Sequence, residues 1–317
     1  PIGMVIENKD ARSGKYEPFV TAPRPSHGDY TYSAKFGTRN WGGGGRSSAR
    51  ETVNWVAAGA VAKQVLAQSE YDVQVKAHVN QVGDIEAPEV SFEQMLEHTE
   101  TNEVRCAHPD TAEEMREAID DYQQEGDSIG GSIYFECRGV PRGLGAPRFD
   151  SFASRLGQAM FSIPATTAFQ FGKGRDVRTM RGSNRNEDWA FDDGDSHPDT
   201  VSDEGDPVPV GNDHGGLQGG ITTGEPIYGE ATWHAPTSIP KEQTTADWET
   251  GERKDVQVVG RHDPVLMPRA VPVVEAMLNL TILDFMLLDG RINPDRLDDQ
   301  SGEYDTDYHP RSPDNME

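Results

Sequence analysis

One stretch of this 317-residue chain, Ala270 to Leu288, is apolar for long enough to centre a core, and the rest must pack around it. Glu275, Asn279 and Asp284 interrupt it, so it predicts a buried helix and not a membrane span. Pro272 stands where a first helical residue should, since the N–H it lacks would have no partner there. The other apolar residues come in short periodic blocks. Ser48-Ala49-Arg50-Glu51 has the form of a capping box, opening a helix with Val53, Val56, Ala57, Ala60, Val61 and Val65 on its apolar face. Val73, Val75, Ala77 and Val79 alternate with Gln74, Lys76 and His78, which predicts a half-buried strand with one polar face. A second capping box, Thr111 to Glu114, opens an acidic surface helix. Ser132 to Glu136 reads as a strand, and a glycine-rich break over 139–145 precedes a helix from Asp150 to Ile163. Helices and strands mix with neither βαβ alternation nor an internal repeat, so the expected architecture is a single α+β domain.

Charge excludes several functions. Against 29 Lys plus Arg stand 54 Asp plus Glu, a formal net charge of −25. Such a surface repels phosphate backbones and anionic bilayers, so neither nucleic acid nor a membrane is an expected partner. Two segments hold fifteen of those charges: 187–206, with nine acids and no Lys or Arg, and 289–317, with nine acids and three Arg. The first predicts a solvated surface loop and the second a disordered tail, leaving 1–288 as the folded domain. Among the cations 21 are Arg and 8 are Lys. An acid-rich, Lys-poor surface suits strong brine, where self-repulsion is screened at short range, so a salt-adapted protein is expected. Cys106 and Cys137 are too few for a disulfide framework, which points to a reducing, cytoplasmic compartment.

Within this acidic chain Arg24 to Arg50 forms a basic island, five Lys or Arg with Asp29 as the one acid. It carries Arg24-Pro25-Ser26-His27-Gly28-Asp29, then four glycines running into Arg46-Ser47-Ser48-Ala49-Arg50. Glycines admit close approach of a ligand, a helix start presents free N–H groups, and guanidinium pairs with phosphate or carboxylate, so the stretch predicts an anion site. A glycine hairpin tip is the competing reading. The stretch is neither a Walker loop nor a dinucleotide turn. His27, between Arg24 and Asp29, is a candidate tuned proton donor, with a structural histidine as the alternative. A second glycine-dense run, 215–224, with Ala235-Pro236-Thr237-Ser238 downstream, predicts backbone packed against a flat ligand or, alternatively, a linker. Third, Gly260-Arg261-His262-Asp263-Pro264 followed by Arg269 reads as a carboxylate base beside an anion-holding arginine, or as a salt-bridged capping turn. A metal hydrolase would pair His27 with Asp29, Asp213 with His214 and His262 with Asp263, but no HExxH or CxxC spacing supports it.

These stretches together resemble the chorismate synthase family. The motifs are RPSHGDYTYSAKFGTRNWGGGGRSSARET (Arg24 to Thr52), GVPRGLGAPRFD (Gly139 to Asp150), RGSNRNE (Arg181 to Glu187), GGLQGGITTGEPI (Gly215 to Ile227), APTSI (Ala235 to Ile239) and GRHDPVLMPRAVPVVEAM (Gly260 to Met277). The resemblance implies a β-α-β sandwich of antiparallel sheets and helices, assembled as a homotetramer. It implies a lyase converting 5-enolpyruvylshikimate 3-phosphate to chorismate and phosphate by 1,4-anti elimination, with reduced FMN required although nothing is oxidised overall. A non-catalytic flavin- or phosphate-binding module is the alternative.

Residue by residue, the resemblance puts His27 on a histidine that donates a proton to the reduced flavin and Asp263 on an aspartate that assists deprotonation through the flavin. Arg24, Arg50 and Arg269 fall on substrate-holding arginines. Flavin contacts would come from Arg46, Ser47, Ser48, Pro164, Ala165, Gly219, Ala235, Pro236, Thr237, Ser238, Ile239 and Arg261. Ala235 and Pro164 replace the Lys and Asn common in the family, so those contacts would run through backbone or shape. NADPH as reductant has no dinucleotide motif here, which favours an external flavin reductase. The family's N-terminal section, with its GESHG histidine, is not among these 317 residues, so the expectation is either a longer protein or an inactive fragment, with no activity from the 317 residues alone.

Overall fold

The computed structural model describes residues 2–7, 13–43, 45–191, 207–258 and 262–293. The helices are α1 (Asp29–Phe36), α2 (Thr52–Ala67), α3 (Phe92–His98), α4 (Pro109–Gln124), α5 (Phe152–Ser162), α6 (Gly182–Arg185) and α7 (Met267–Leu288). The strands are β1 (Gln74–Val82), β2 (Ile85–Glu86), β3 (Gly131–Arg138), β4 (Thr166–Phe171), β5 (Trp189–Phe191), β6 (Pro207–Pro209), β7 (Leu217–Gln218), β8 (Ile221–Thr222), β9 (Ile227–Trp233), β10 (Glu242–Ala246) and β11 (Arg253–Gln257). Five of them make an antiparallel sheet in the order β2-β1-β3-β9-β4, and three hairpins, β5-β6, β7-β8 and β10-β11, stand apart. The architecture is α+β with antiparallel sheets, as the sequence predicts.

Alternation puts Val75, Ala77 and Val79 of β1, Ile133, Phe135 and Cys137 of β3, and Ile227, Ala231 and Trp233 of β9 in one buried cluster with α7. Each fully buried Val, Ile or Phe of this cluster contributes roughly 1.5–3 kcal/mol of transfer free energy. Helix α7 lies across this face and against α2 and α5, with eleven buried residues from Met267 to Met286. By length and composition it could cross a membrane, yet here it is the core helix the sequence predicts.

Several local expectations need correction. Helix α7 begins at Met267, so Pro272 lies inside it and Pro268 is the proline of its first turn. Pro272 has no N–H for the Pro268 carbonyl, which instead accepts a 2.7 Å hydrogen bond from Arg105 Nη1. Ser48 caps a 3-10 turn, Ala49–Glu51, accepting from Arg50 N at 3.3 Å ahead of α2. The buried stripe of α2 is Gly59, Ala62 and Leu66, while Val53 and Ala60 are exposed. Gly59 turns that stripe toward α7, because its missing side chain lets the helices touch: a Cβ there would lie 2.4 Å from the Ala276 Cβ. Helix α4 starts at Pro109, with His108 as its cap, its Nδ1 accepting from Thr111 N, so Thr111 opens no capping box. Strand β1 is covered on both faces: His78 is 1% exposed, because α3 brings Phe92 and Met95 over the Tyr134 side. Glu187, expected in a solvated loop, is buried against His214, its Oε2 2.5 Å from Nε2. The rest of that loop from 192, and the tail from 294, lie outside the described residues.

Candidate active site

Residues 19–29 are held in place by the β10-β11 hairpin. Phe19 packs with Val256 and Val258, Thr245 Oγ1 donates to the Pro23 carbonyl at 2.6 Å, and Trp248 N donates to the Thr21 carbonyl at 2.8 Å. Asp247 closes that contact by accepting from Thr21 Oγ1 at 2.8 Å, and this bond, then the N–H of Glu249, the Lys254 ammonium and the N–H of Thr250, bring its pKa down to about 2. On this base Arg24 grips Asp29 through Nε and Nη2 at 2.9 and 3.0 Å, and Arg24 N adds a third bond at 2.9 Å. Arg39 approaches Asp29 Oδ1 at 3.4 Å and stacks over Trp248 with 5.0 Å to the ring centroid. The sequence reading did not single out Arg39; its place in the basic island was the available signal.

The Arg24–Asp29 clamp bends the chain between them and presents His27. Its Nε2 lies 2.8 Å from Ser238 Oγ, Thr237 Oγ1 lies 3.2 Å from the ring nitrogens, and its Nδ1 is 2.9 Å from the Pro25 carbonyl. Nδ1–H donates to that carbonyl, which leaves Nε2 to accept from the Ser238 hydroxyl. Burial, then the Arg24 charge, holds the imidazole's pKa below its ordinary value against the opposing pull of the Pro25 bond and Asp29. The ring is neutral at pH 7 without a ligand, and an anion placed beside it would favour its protonation.

The structure therefore joins His27 with Thr237 and Ser238 across 211 positions of sequence. Ala235 to Ile239 form a half-buried loop. The Ala165 carbonyl accepts from His234 N at 3.3 Å, which seats Pro164 and Ala165 beside the start of that loop. Asp263 and Arg269 pair at 2.9 Å between Oδ1 and Nη2, and Arg269 stays 75% exposed. Arg261 lies outside the described residues.

Other candidates are not joined to this cluster. Arg46 and Arg50 are exposed on successive 3-10 turns with Ser48 between them, and no hydrogen bond or ion pair among the described residues links them to His27. Of Ser47 only the backbone is described. Gly219 sits at the β7-β8 turn with φ +61° and open space where a Cβ would be, while its neighbour Gly220 packs against Ser151, the cap of α5. Ala165 follows the other end of α5, so about 16 Å of helix separates the two.

The glycine-rich segments are thus packed backbone and not linker: at Gly215 a Cβ would meet Gly172 N at 2.3 Å. Gly219 leaves an open face at the turn, and Arg46 and Arg50 leave two guanidinium groups free of described carboxylates. Exposed guanidinium groups are the donors an anionic end requires, and the half-buried 235–239 loop beside Pro164 and Ala165 presents backbone to a flat body, so the residue types present fit a flavin phosphate and ring.

A profile of the chorismate synthase family matches residues 1–287. Chorismate synthase of Halorubrum lacusprofundi is 80% identical over 315 residues, covering 99% of this chain and 80% of that protein. The Halobacterium salinarum enzyme is 79% identical with the same coverage, and that of Methanosarcina mazei is 44% identical over 93% of this chain and 77% of its own length. A crystal structure of chorismate synthase aligns with a TM-score of 0.63 at 26% identity, over 82% of this chain and 70% of that one. Such identity favours the catalytic reading over a non-catalytic binding module: the chain belongs to the chorismate synthase family, lyases of aromatic biosynthesis that act on 5-enolpyruvylshikimate 3-phosphate with a reduced flavin.

Proposed function

We propose that the reaction is run at the cluster built on His27, with FMN as the flavin. The observation that carries this reading is the His27 imidazole, seated between the Arg24–Asp29 clamp and the Thr237–Ser238 hydroxyls with its pKa held low by burial. The reduced flavin, when bound, supplies a transiently lent electron that eases departure of phosphate. The chain's own residues then bind, orient and move protons.

Arg50 and Arg269, both exposed, and Arg24, whose Asp29 bonds leave Nη1 for another acceptor, hold the phosphate and carboxylates of the substrate by charge-assisted pairs. His27 Nε2 carries the donated proton; the Ser238 hydroxyl fixes its direction, and substrate anions favour the imidazolium. The Asp263 carboxylate, oriented by Arg269, assists the deprotonation that accompanies elimination. The family resemblance assigns the flavin contacts to Arg46, Ser47, Ser48, Pro164, Ala165, Gly219, the 235–239 loop and Arg261; what supports this is that Pro164 and Ala165 adjoin the 235–239 loop, which touches His27. Residues 1–288 act as one domain, working as a cytoplasmic homotetramer supplied with reduced flavin by an external reductase, with NADPH as the alternative source of electrons.

His27→Ala and Asp263→Ala test the assignment in the full-length enzyme. Each should lower kcat by about 10²- to 10⁴-fold under anaerobic conditions with excess reduced FMN, while FMN affinity stays within a few-fold. Unchanged turnover in either variant removes that residue from the mechanism.

A further inference from the structure

The three pieces of the site, 24–29, 235–239 and 262–269, are far apart in sequence, and the turn joining α4 to β3 reaches two of them at once. That turn is Glu125-Gly126-Asp127-Ser128-Ile129-Gly130, with β3 starting at Gly131. Ser128 Oγ donates to the Pro236 carbonyl at 2.7 Å, and the next residue's N–H, on Ile129, donates to the Pro264 carbonyl at 2.9 Å. Pro236 immediately precedes Thr237 and Ser238, which touch His27; Pro264 immediately follows Asp263.

The turn is itself tightly fixed. Gly130 has no room for a side chain, since a Cβ would lie 2.5 Å from the Trp233 carbonyl oxygen and 3.3 Å from Ala235 N. Asp127 Oδ1 accepts from Ser128 N at 2.9 Å, and its other oxygen pairs with Lys241 just beyond the loop. The Pro240 ring packs under Gly126.

We propose that Ser128 is a positioning residue for the elimination: its hydroxyl sets the Pro236 carbonyl, and with it the Thr237–Ser238 pair, against His27, in register with Asp263. Either hydroxyl contact to the imidazole fails if the 235–239 loop moves by about 1 Å, a displacement that can cost up to 100-fold in rate. Backbone carbonyls held by one side-chain hydroxyl are local, so the effect should reach His27 without disturbing the sheet. This rests on the assignment of His27 as proton donor, but the effect on the His27 environment does not.

The test uses Ser128→Ala, Ser128→Thr and Ser128→Cys in the full-length enzyme, with two readouts. The first is the His27 titration followed by NMR of the ligand-free protein, its signal assigned by loss in His27→Gln. Arg24, Asp29 and His234 are the charged and titratable groups facing that ring. With the loop loosened the ring gains water, so Ser128→Ala should move the His27 pKa upward toward its ordinary value, and Ser128→Thr should restore it. The second is turnover: kcat should fall at least about tenfold in Ser128→Ala with KM within twofold, and recover in Ser128→Thr. If Ser128→Ala does not fold, Ser128→Cys, similar in size with a weak donor, decides the question by the same readouts. A His27 pKa and kcat unchanged in Ser128→Ala, or a loss that Ser128→Thr fails to rescue, overturns the proposal. A shifted pKa with unchanged kcat overturns the positioning role; whether the His27 assignment itself fails is read separately, from the turnover of His27→Ala.

Discussion

Replacing Asp29 by Asn isolates the clamp on which the His27 turn is built. The Asp29 side chain is 4% exposed, and its two guanidinium partners, Arg24 and Arg39, are 9% and 6% exposed. Asn keeps the shape but removes the charge, leaving two buried cations without their counterion. Breaking a buried pair from one side costs about 3–5 kcal/mol, several times the ~1 kcal/mol ceiling of a surface pair. Urea unfolding of wild type and Asp29→Asn at pH 7, compared at low and at molar KCl, measures this. The loss should persist in KCl, because a pair sealed from solvent is screened far less than a surface one. A difference under 1 kcal/mol, or one that vanishes in molar KCl, would show that the clamp behaves as a surface pair and refute the reasoning. The pH dependence adds a sign. Burial pushes the Asp29 pKa up, but the side-chain and backbone bonds from Arg24, with the Arg24 and Arg39 charges, outweigh it and leave the carboxyl below its ordinary value. The stabilisation is therefore complete above about pH 4 and is lost as pH falls through the lowered folded value, so Asp29→Asn should flatten that part of the acid limb.

Three further outcomes follow from particular residues. Gly59→Ala places a Cβ 2.4 Å from the Ala276 Cβ and should destabilise by about 1–3 kcal/mol as α2 is pushed off α7; an unchanged urea midpoint would contradict this packing. Burial, against the Val79 carbonyl bond, pushes the His78 pKa down to about 4, so the unfolded chain binds the extra proton below pH 6.5. Stability should fall by about 1.4 kcal/mol per pH unit between 6.5 and 4 on this account, and His78→Gln should remove that slope; a slope unchanged in the variant refutes it. With 54 acids against 29 bases the melting temperature should climb with KCl, and equal or greater stability in dilute buffer would dismiss salt adaptation.

Much of the fold was legible in the sequence because it rests on local periodicity. The alternation of Val75, Ala77 and Val79, the apolar run ending at Leu288, and the break before α5 each correspond to observed elements. Element ends were less legible: His108 and not Thr111 governs the start of α4, since a histidine ring can cap as well as a hydroxyl when its Nδ1 faces the N–H. The α2 stripe departs from the apolar pattern because a glycine counts as neither apolar nor buried in it, yet Gly59 is where α2 comes against Ala276 of α7.

By itself the sequence determined the chemistry available: a basic, glycine-rich island in an acidic chain, histidine and aspartate in Arg-rich surroundings, and motifs long enough to assign a family. Only the tertiary structure decided which of these groups meet. It spends most of Arg24 on Asp29, sets His27 against Ser238 across 211 positions, and keeps Gly219 a helix length from Ala165. It also brought forward the Ser128 hydroxyl and Arg105 Nη1, which donate to backbone carbonyls. The physical reason is that a carbonyl's need for a donor is the same at every residue, so a side chain that meets it leaves no mark in the sequence until folding brings the two together.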